Sequence, residues 1–294
     1  MKNNLLILFA LISFFSFAQK QDLKKEILEI TKGKNATVAV SVLDFENNKS
    51  IDVNGDKKLP MLSVFKFHIA LAVLNQVDEG KLNLAKNIFI KKSELLENTW
   101  SPIREKYPEG NIEIPISQLI KYTVAQSDNN GCDILLRLID GTHTVQNFIN
   151  NKGNKDFQIQ ANEEEMHQSF KTMYANFTTT NSANDLLKKF YDGKIISKSA
   201  TDFLMKIMIE TTTGTNKIVA QLPKETQVAH KTGSSGKDNK GMTIAENDIA
   251  IITLANGKHY AISVFISDSM EREETNTKMI ADISKIVFNY FSKR

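Results

Sequence analysis

Cysteine is almost absent from this chain of 294 residues: there is only Cys132, with no Cys or His beside it at metal-ligand spacing. That excludes an intramolecular disulfide framework and a thiolate metal centre, and within "CDILLRLI" the residue reads as a small buried hydrophobe. Proline is scarce too, with five residues scattered along the chain, so no proline-rich linker separates independent modules. Charge of one sign is lacking as well. Against 37 Lys and Arg stand 34 Asp and Glu, a net charge of +3, and no basic stripe is interleaved with aromatics, which argues against a nucleic-acid partner. Long apolar runs are missing: the longest, Leu5 to Phe17, covers 13 residues, short of the ~20 that a helix needs to cross a bilayer. No internal repeat is present. What remains is 41% hydrophobic and 24% charged, the composition of a globular protein with a sizeable core.

Residues 1–18 read as a signal peptide. Lys2 precedes the apolar run, and Ser16-Phe17-Ala18 fits a small-x-small cleavage site. The expectation is a protein exported to the periplasm or secreted after cleavage near Ala18, with no membrane attachment afterwards.

The residues after Ala18 divide by their periodicity. "KKEILEITKG" (24–33) carries apolar residues at helical spacing and ends on glycine. "ATVAVSVLDFENNKSIDVNG" alternates Val38, Val40 and Val42 with small or polar neighbours and turns at "ENNKS", which predicts a hairpin. From residue 60 to about 212 the period becomes helical, in segments such as "LSVFKFHIALAVLNQVDEG", "PISQLIKYTVAQ", "NNGCDILLRLID" and "SKSATDFLMKIMIETTTG". Strands return in "TQVAHKTG" and "DIAIITLANGKHYAISVFIS", where Asn256-Gly257 predicts a type I′ hairpin. "TNTKMIADISKIVFNYFSK" closes the chain as a helix. The predicted fold class is α/β plus all-α: an antiparallel sheet flanked by N- and C-terminal helices, with an inserted all-helical domain. Residues 19–59 and 214–294 form the α/β part and 60–213 the insertion, and active sites favour such junctions.

Four short segments carry residues suited to chemistry. In "PMLSVFKFHIALAVL" (60–74), Ser63 and Lys66 stand three apart, so on a helix they share a face, and an amine beside a hydroxyl can activate it. The spacing alone is unspecific, because Ser-x-x-Lys recurs at Ser234 to Lys237. Ser127-Asp128-Asn129 suits a helix N-cap as well as a site. "ANEEEMHQ" (161–168) suits a solvated acidic turn, or a general base with Glu163 and His167 facing one another across a water. "HKTGSSG" (230–236) suits a strand ending in a glycine turn, or a strand edge facing a ligand that approaches where Gly233 has no side chain.

Taken together, in this order and each at an element boundary, the Ser-x-x-Lys, Ser-Asp-Asn and Lys-Thr-Gly motifs resemble those of class A serine β-lactamases and penicillin-binding proteins. The resemblance covers nearly all of the chain after residue 18, and it implies the β-lactamase/penicillin-binding-protein transpeptidase-like fold. It implies that Ser63 attacks the β-lactam carbonyl, and that Lys66, or Glu163 through a water, takes its proton. Ser127 would protonate the departing nitrogen and Lys231 would supply positive potential beside it. Asn129, Thr232 and Ser234 would bind substrate, and the backbone N–H groups of Ser63 and Ser234 would form the oxyanion hole. Glu163 would activate the water that hydrolyses the acyl-enzyme. Its selection over Glu164 and Glu165 follows the family's loop, in which the glutamate precedes a polar residue by four positions. That mechanism requires no cofactor and no metal, and a small-molecule β-lactam and a monomeric protein are expected.

His167 stands where the family usually has asparagine. That departure, "TWSPI" around Trp100 and "ETTTG" before Lys217 resemble the PER-type extended-spectrum subgroup, which implies a wider cavity and bulky cephalosporins as substrates. "ENDIAIITL" lacks the carboxylate-binding arginine of many relatives, and Lys217 is the candidate to replace it. Trp100 either walls the site or is packed. Two other readings share the motifs: a D-alanyl-D-alanine peptidase or β-lactam sensor, in which a glutamate such as Glu163 is lacking, and a secreted binding protein without catalysis.

Overall fold

The computed structural model describes residues 22–293, so the signal-peptide reading of residues 1–18 lies outside the described residues. The chain opens with helix α1 (22–31) and the antiparallel strands β1 (Thr37–Asp44) and β2 (Ser50–Val53). Next come β3 (Leu59–Pro60), a 3-10 turn (Leu62–Val64) and α2 (Phe65–Asp78). The chain continues through β4 (Asn87–Ile90), α3 (Pro102–Lys106), β5 (Ile112–Pro115), α4 (Ile116–Ala125), α5 (Asn129–Leu138) and α6 (Thr142–Asn151). Then follow β6 (Phe157–Gln158), α7 (Glu163–Gln168), β7 (Phe177–Thr178), α8 (Thr180–Tyr191) and α9 (Lys198–Ile209). Strands β8 (Gln227–Ser234), β9 (Thr243–Thr253) and β10 (His259–Ser269) lead to α10 (Glu273–Ser292).

One five-stranded antiparallel sheet, in the order β2-β1-β10-β9-β8, brings the two ends of the chain together. Its side chains alternate between faces because successive strand residues point to opposite sides. Val38, Val40 and Val42 of β1, Ile262 and Val264 of β10, and Ile252 of β9 pack with Leu23 and Ile27 of α1 and Ile280, Ile283 and Val287 of α10. The other face, with Ala39, Ala261, Phe265, Ile249 and Ile251, packs into the core of the helical region. Helix α8 lies directly on that face, where Ser41 Oγ donates to Asn181 Oδ1 at 2.7 Å and Ser263 Oγ to Asn184 Oδ1 at 2.7 Å.

Every residue of α2 from Phe65 to Leu74 is buried, as expected of a helix that is apolar all round. His68 stacks on Phe157 with ring centroids 4.5 Å apart, and burial pushes its pKa down to about 3, so it stays neutral in this core.

The structure differs from the sequence-based expectation in four places. The inserted region is mainly helical but carries two small sheets, β4-β5 and β3-β7-β6, whose strands of two to four residues are too short for alternation to register. The β9–β10 connection is not a type I′ turn. The N–H of Gly257 donates to Leu254 O at 2.9 Å, and Gly257 has φ +79 while Asn256 stays out of the left-handed region. This is the longer hairpin loop that places a single left-handed glycine after its turn. Ser63 precedes the α-helix, in the 3-10 turn. Finally, β9 begins five residues before Asp248, at Thr243, because the polar run Glu246-Asn247-Asp248 is buried with specific partners inside the protein.

Candidate active site

Ser63 is held by the packing of its neighbours. Helix α2 anchors the turn from below, and Asn247 of β9 donates from Nδ2 to Pro60 O at 2.8 Å and Met61 O at 3.1 Å. Edge strand β8 presses against it from the side. A Cβ on Gly233 would stand 2.4 Å from Met61 O and 3.2 Å from Ser63 N. The glycine of Lys-Thr-Gly therefore makes room for the Ser63 turn itself, where the sequence had suggested room for a ligand. Leu62, directly before Ser63, has φ +45, a conformation that a residue with a branched side chain rarely adopts and that close packing must maintain.

Lys66, fully buried on the first turn of α2, converts this seat into a chemical group. Its Nζ donates to Ser63 Oγ at 2.9 Å and to Ser127 O at 2.9 Å, and it also meets Asn129 Oδ1. Glu163 Oε1 lies 2.7 Å from Lys66 Nζ and 3.4 Å from Ser63 Oγ. Of the three consecutive glutamates only Glu163 is buried: Glu164 is exposed, and Glu165 closes a capping box with Asn162. Asp133 of α5 fixes the position of Glu163 by accepting the backbone N–H of Glu163 at 2.8 Å and of Glu164 at 3.0 Å. Burial, opposed by those N–H groups and reinforced by the charge of Glu163, pushes the Asp133 carboxyl up to about 6.

Ser127-Asp128-Asn129 divides between its two readings. Asp128 is the N-cap of α5, accepting from Gly131 N at 2.8 Å, Ile103 N at 2.7 Å and Ser101 Oγ at 3.0 Å. Burial raises its carboxyl above the usual range. The flanking residues face Lys66. Ser127 has φ +58, and its Oγ accepts from Lys231 Nζ at 2.9 Å. Asn129 bridges Lys66 and Thr99, donating from Nδ2 to Thr99 Oγ1 at 2.6 Å. Lys231 is fully buried. Desolvation, then the positive charges of Lys66 and Lys217, hold its pKa well below that of an ordinary lysine.

At the edge of the sheet, Ser235 N–H donates to Ala245 O at 3.0 Å. N–H groups alternate in direction along a strand, so that of Ser234 points to the open edge of the sheet. Thr232 is buried, with its Oγ1 2.8 Å from Thr213 Oγ1. Lys217 lies behind the strand: Nζ is 2.5 Å from Glu246 Oε1 and donates to Ser234 Oγ at 2.9 Å. The second Ser-x-x-Lys leaves the end of β8 through Gly236, at φ +70, with no helical turn, so Ser234 and Lys237 share no helical face.

A cleft of ≈ 410 Å³ has Ser63, Asn129, Glu163 and Ser234 in its walls, with Trp100 and His167 at the rim. Trp100 is 55% exposed and donates from Nε1 to Gln126 O at 2.9 Å, so it walls the cleft instead of packing in the core. A second cavity, of ≈ 240 Å³, opens on the far side of Glu163 and reaches Asp133 and His167. Lys66, Ser127 and Lys231 form a hydrogen-bonded chain beside the cleft, whereas Thr232 and Lys217 lie behind its wall. Sequence reasoning missed Asp133, Asn247 and Glu246. The one signal was the lack of an arginine in "ENDIAIITL", the stretch that holds both Glu246 and Asn247.

Residues 21–291 match the family described as "Beta-lactamase enzyme family". The chain is 46% identical over 292 residues to beta-lactamase VEB-1 of Pseudomonas aeruginosa, covering 97% of each. It is 39% identical over 287 residues to the extended-spectrum beta-lactamase PER-1 of the same organism, covering 97% of this chain and 93% of that one. The crystal structure of the TLA-3 extended-spectrum beta-lactamase superposes with a TM-score of 0.91 at 50% identity, over 93% of this chain and 99% of the other. With the motifs gathered around Ser63 on this fold, the chain belongs to the beta-lactamase enzyme family, as a PER-like class A serine enzyme.

Proposed function

We propose that the protein hydrolyses the β-lactam amide bond through an acyl-enzyme on Ser63. The observation that carries this reading is the position of Glu163, whose carboxylate meets both Lys66 and the Ser63 hydroxyl. A serine hydroxyl becomes a competent nucleophile when an adjacent base takes its proton. Here Lys66, or Glu163 through a water, is placed to take that proton, with both groups meeting the Ser63 hydroxyl. The carbonyl oxygen of the substrate would accept from the N–H groups of Ser63 and Ser234, each donor worth about 2.7–4 kcal/mol in the transition state. The N–H of Ser63 suits this role because the first N–H groups of a helix have no acceptor within it. Ser127, whose hydroxyl accepts from Lys231 while its backbone carbonyl holds Lys66, would deliver its proton to the ring nitrogen as the amide bond breaks. Glu163 would then draw a proton from the water that attacks the ester, returning Ser63 to its free form.

Asn129, Trp100 and His167 would hold the substrate's side chain along the cleft. Its carboxylate would lie against Ser234, with Thr232 supporting that wall from behind and Lys217 acting through Ser234. The two cavities flanking Glu163 and the extended-spectrum relatives support bulky cephalosporins among the substrates. The protein is read as an exported periplasmic or secreted monomer that folds as an α/β part (19–59 and 214–294) with a helical insertion (60–213). Export agrees with the absence, among the described residues, of any helix long and apolar enough to cross a membrane. Steady-state assay of the purified chain with a chromogenic cephalosporin tests the function. Continuous turnover is expected, and a burst of one equivalent followed by no turnover would identify an acylated sensor instead.

A further inference from the structure

Lys217 and Glu246 form the second buried lysine–carboxylate pair of the site, 3% and 4% exposed. Ser234 lies between this pair and the cleft, and its Oγ donates to Glu246 Oε1 at 2.6 Å while accepting from Lys217 Nζ at 2.9 Å. A hydroxyl has one proton, and here it points away from the cleft. The ammonium of Lys217 is also engaged by Asn247 O at 3.1 Å and Gly233 O at 3.4 Å, so its three protons face four acceptors. An incoming anion thus meets a serine whose proton is committed and a lysine whose charge is balanced.

We propose that Glu246 is a specificity-determining residue: a built-in carboxylate that competes with the substrate's own carboxylate for Ser234 and Lys217, and so weakens the enzyme's hold on anionic substrates. The inference rests on the β-lactam hydrolase reading above. Glu246 touches no reacting atom and acts through its two partners. For a substrate carboxylate to receive the proton of Ser234, that hydroxyl must leave Glu246. With a neutral amide in place of the acid, the hydroxyl is held less firmly and Lys217 carries uncompensated positive charge towards the cleft. The effect should therefore appear in substrate binding and depend on the substrate's charge.

The test compares a cephalosporin with its carboxylate methyl ester. Glu246→Gln should lower KM for the free acid about tenfold, the worth of one charge-assisted hydrogen bond, with kcat within about twofold and the ester unaffected. Lys217→Met should raise KM for the acid, because an uncompensated carboxylate then faces it, and adding Glu246→Gln to Lys217→Met should recover most of that loss. The proposal is overturned if Glu246→Gln shifts acid and ester alike, or if Lys217→Met and the double variant share one KM. Should Glu246→Gln fail to fold, the comparison of Lys217→Met with the double variant decides alone. Absence of turnover in the unaltered protein would refute the hydrolase reading instead.

Discussion

Two groups of the same composition lie on opposite sides of the cleft. On the helical side Ser63, Lys66 and Glu163 meet, and on the sheet side Ser234, Lys217 and Glu246; in each the lysine donates to the serine Oγ at 2.9 Å. They differ in where the hydroxyl proton is held. Ser234 Oγ is 2.6 Å from its carboxylate, whereas Ser63 Oγ is 3.4 Å from Glu163 and sits in a turn with a left-handed residue before it. Glu163 arrives on a short helix beside the cleft and Glu246 on a buried position of a central strand. Serine, lysine and glutamate within hydrogen-bonding distance are thus insufficient for nucleophilic catalysis. The hydroxyl must be free to give its proton to the base as the bond to the substrate forms, at a position the substrate can reach.

The largest effect that would break the comparison comes from deleting each hydroxyl in turn. Ser63→Ala should abolish acylation, with turnover lowered at least ~10⁴-fold, whereas Ser234→Ala keeps its backbone N–H and should lose no more than about tenfold. Similar losses in steady-state kinetics would make the two groups equivalent. Lys66→Met should lower the acylation rate by about 10²–10⁴-fold, the usual contribution of a positioned base, and stopped-flow measurement of the acylation phase checks it.

How much of this was legible follows from chain distance. Ser63 with Lys66, Ser127 with Asn129, and Lys231 with Thr232 and Ser234 are close in sequence, and their order along the chain pointed to the site and the fold. That Asp128 caps α5 while Ser127 meets Lys231 and Asn129 meets Lys66 depends on which way each side chain turns, which spacing does not encode. Asp133 gains its meaning from residues 30 positions away and Asn247 from residues more than 180 away. The beginning of β9 was hidden because its buried polar residues read as loop until their partners are placed.

Smaller effects sharpen the contrast between the helix-borne and the strand-borne glutamate. The Asp133 carboxyl, which anchors Glu163, is pushed up to about 6 in the folded protein. A raised folded pKa gives stability that is present below the unfolded value of roughly 3.9 and lost as pH rises through about 6. The unfolding free energy of the unaltered protein, measured against Asp133→Asn, should therefore fall by about 2 kcal/mol between pH 4 and pH 7. A constant difference in urea titrations would show that Asp133 does not titrate as described. Gly233→Ala should cost about 1–3 kcal/mol through the overlap of its Cβ with Met61 O. The accompanying fall in Tm should be matched by a lower acylation rate, since the displaced group is the turn that carries Ser63.

The most direct test of the account is intact-mass spectrometry of Glu163→Gln mixed with a cephalosporin. With the amide unable to activate water, the protein should accumulate as a covalent adduct on Ser63 while turnover falls by about 10²–10⁴-fold. A variant that stays at its unmodified mass and turns over substrate at the unaltered rate would contradict it.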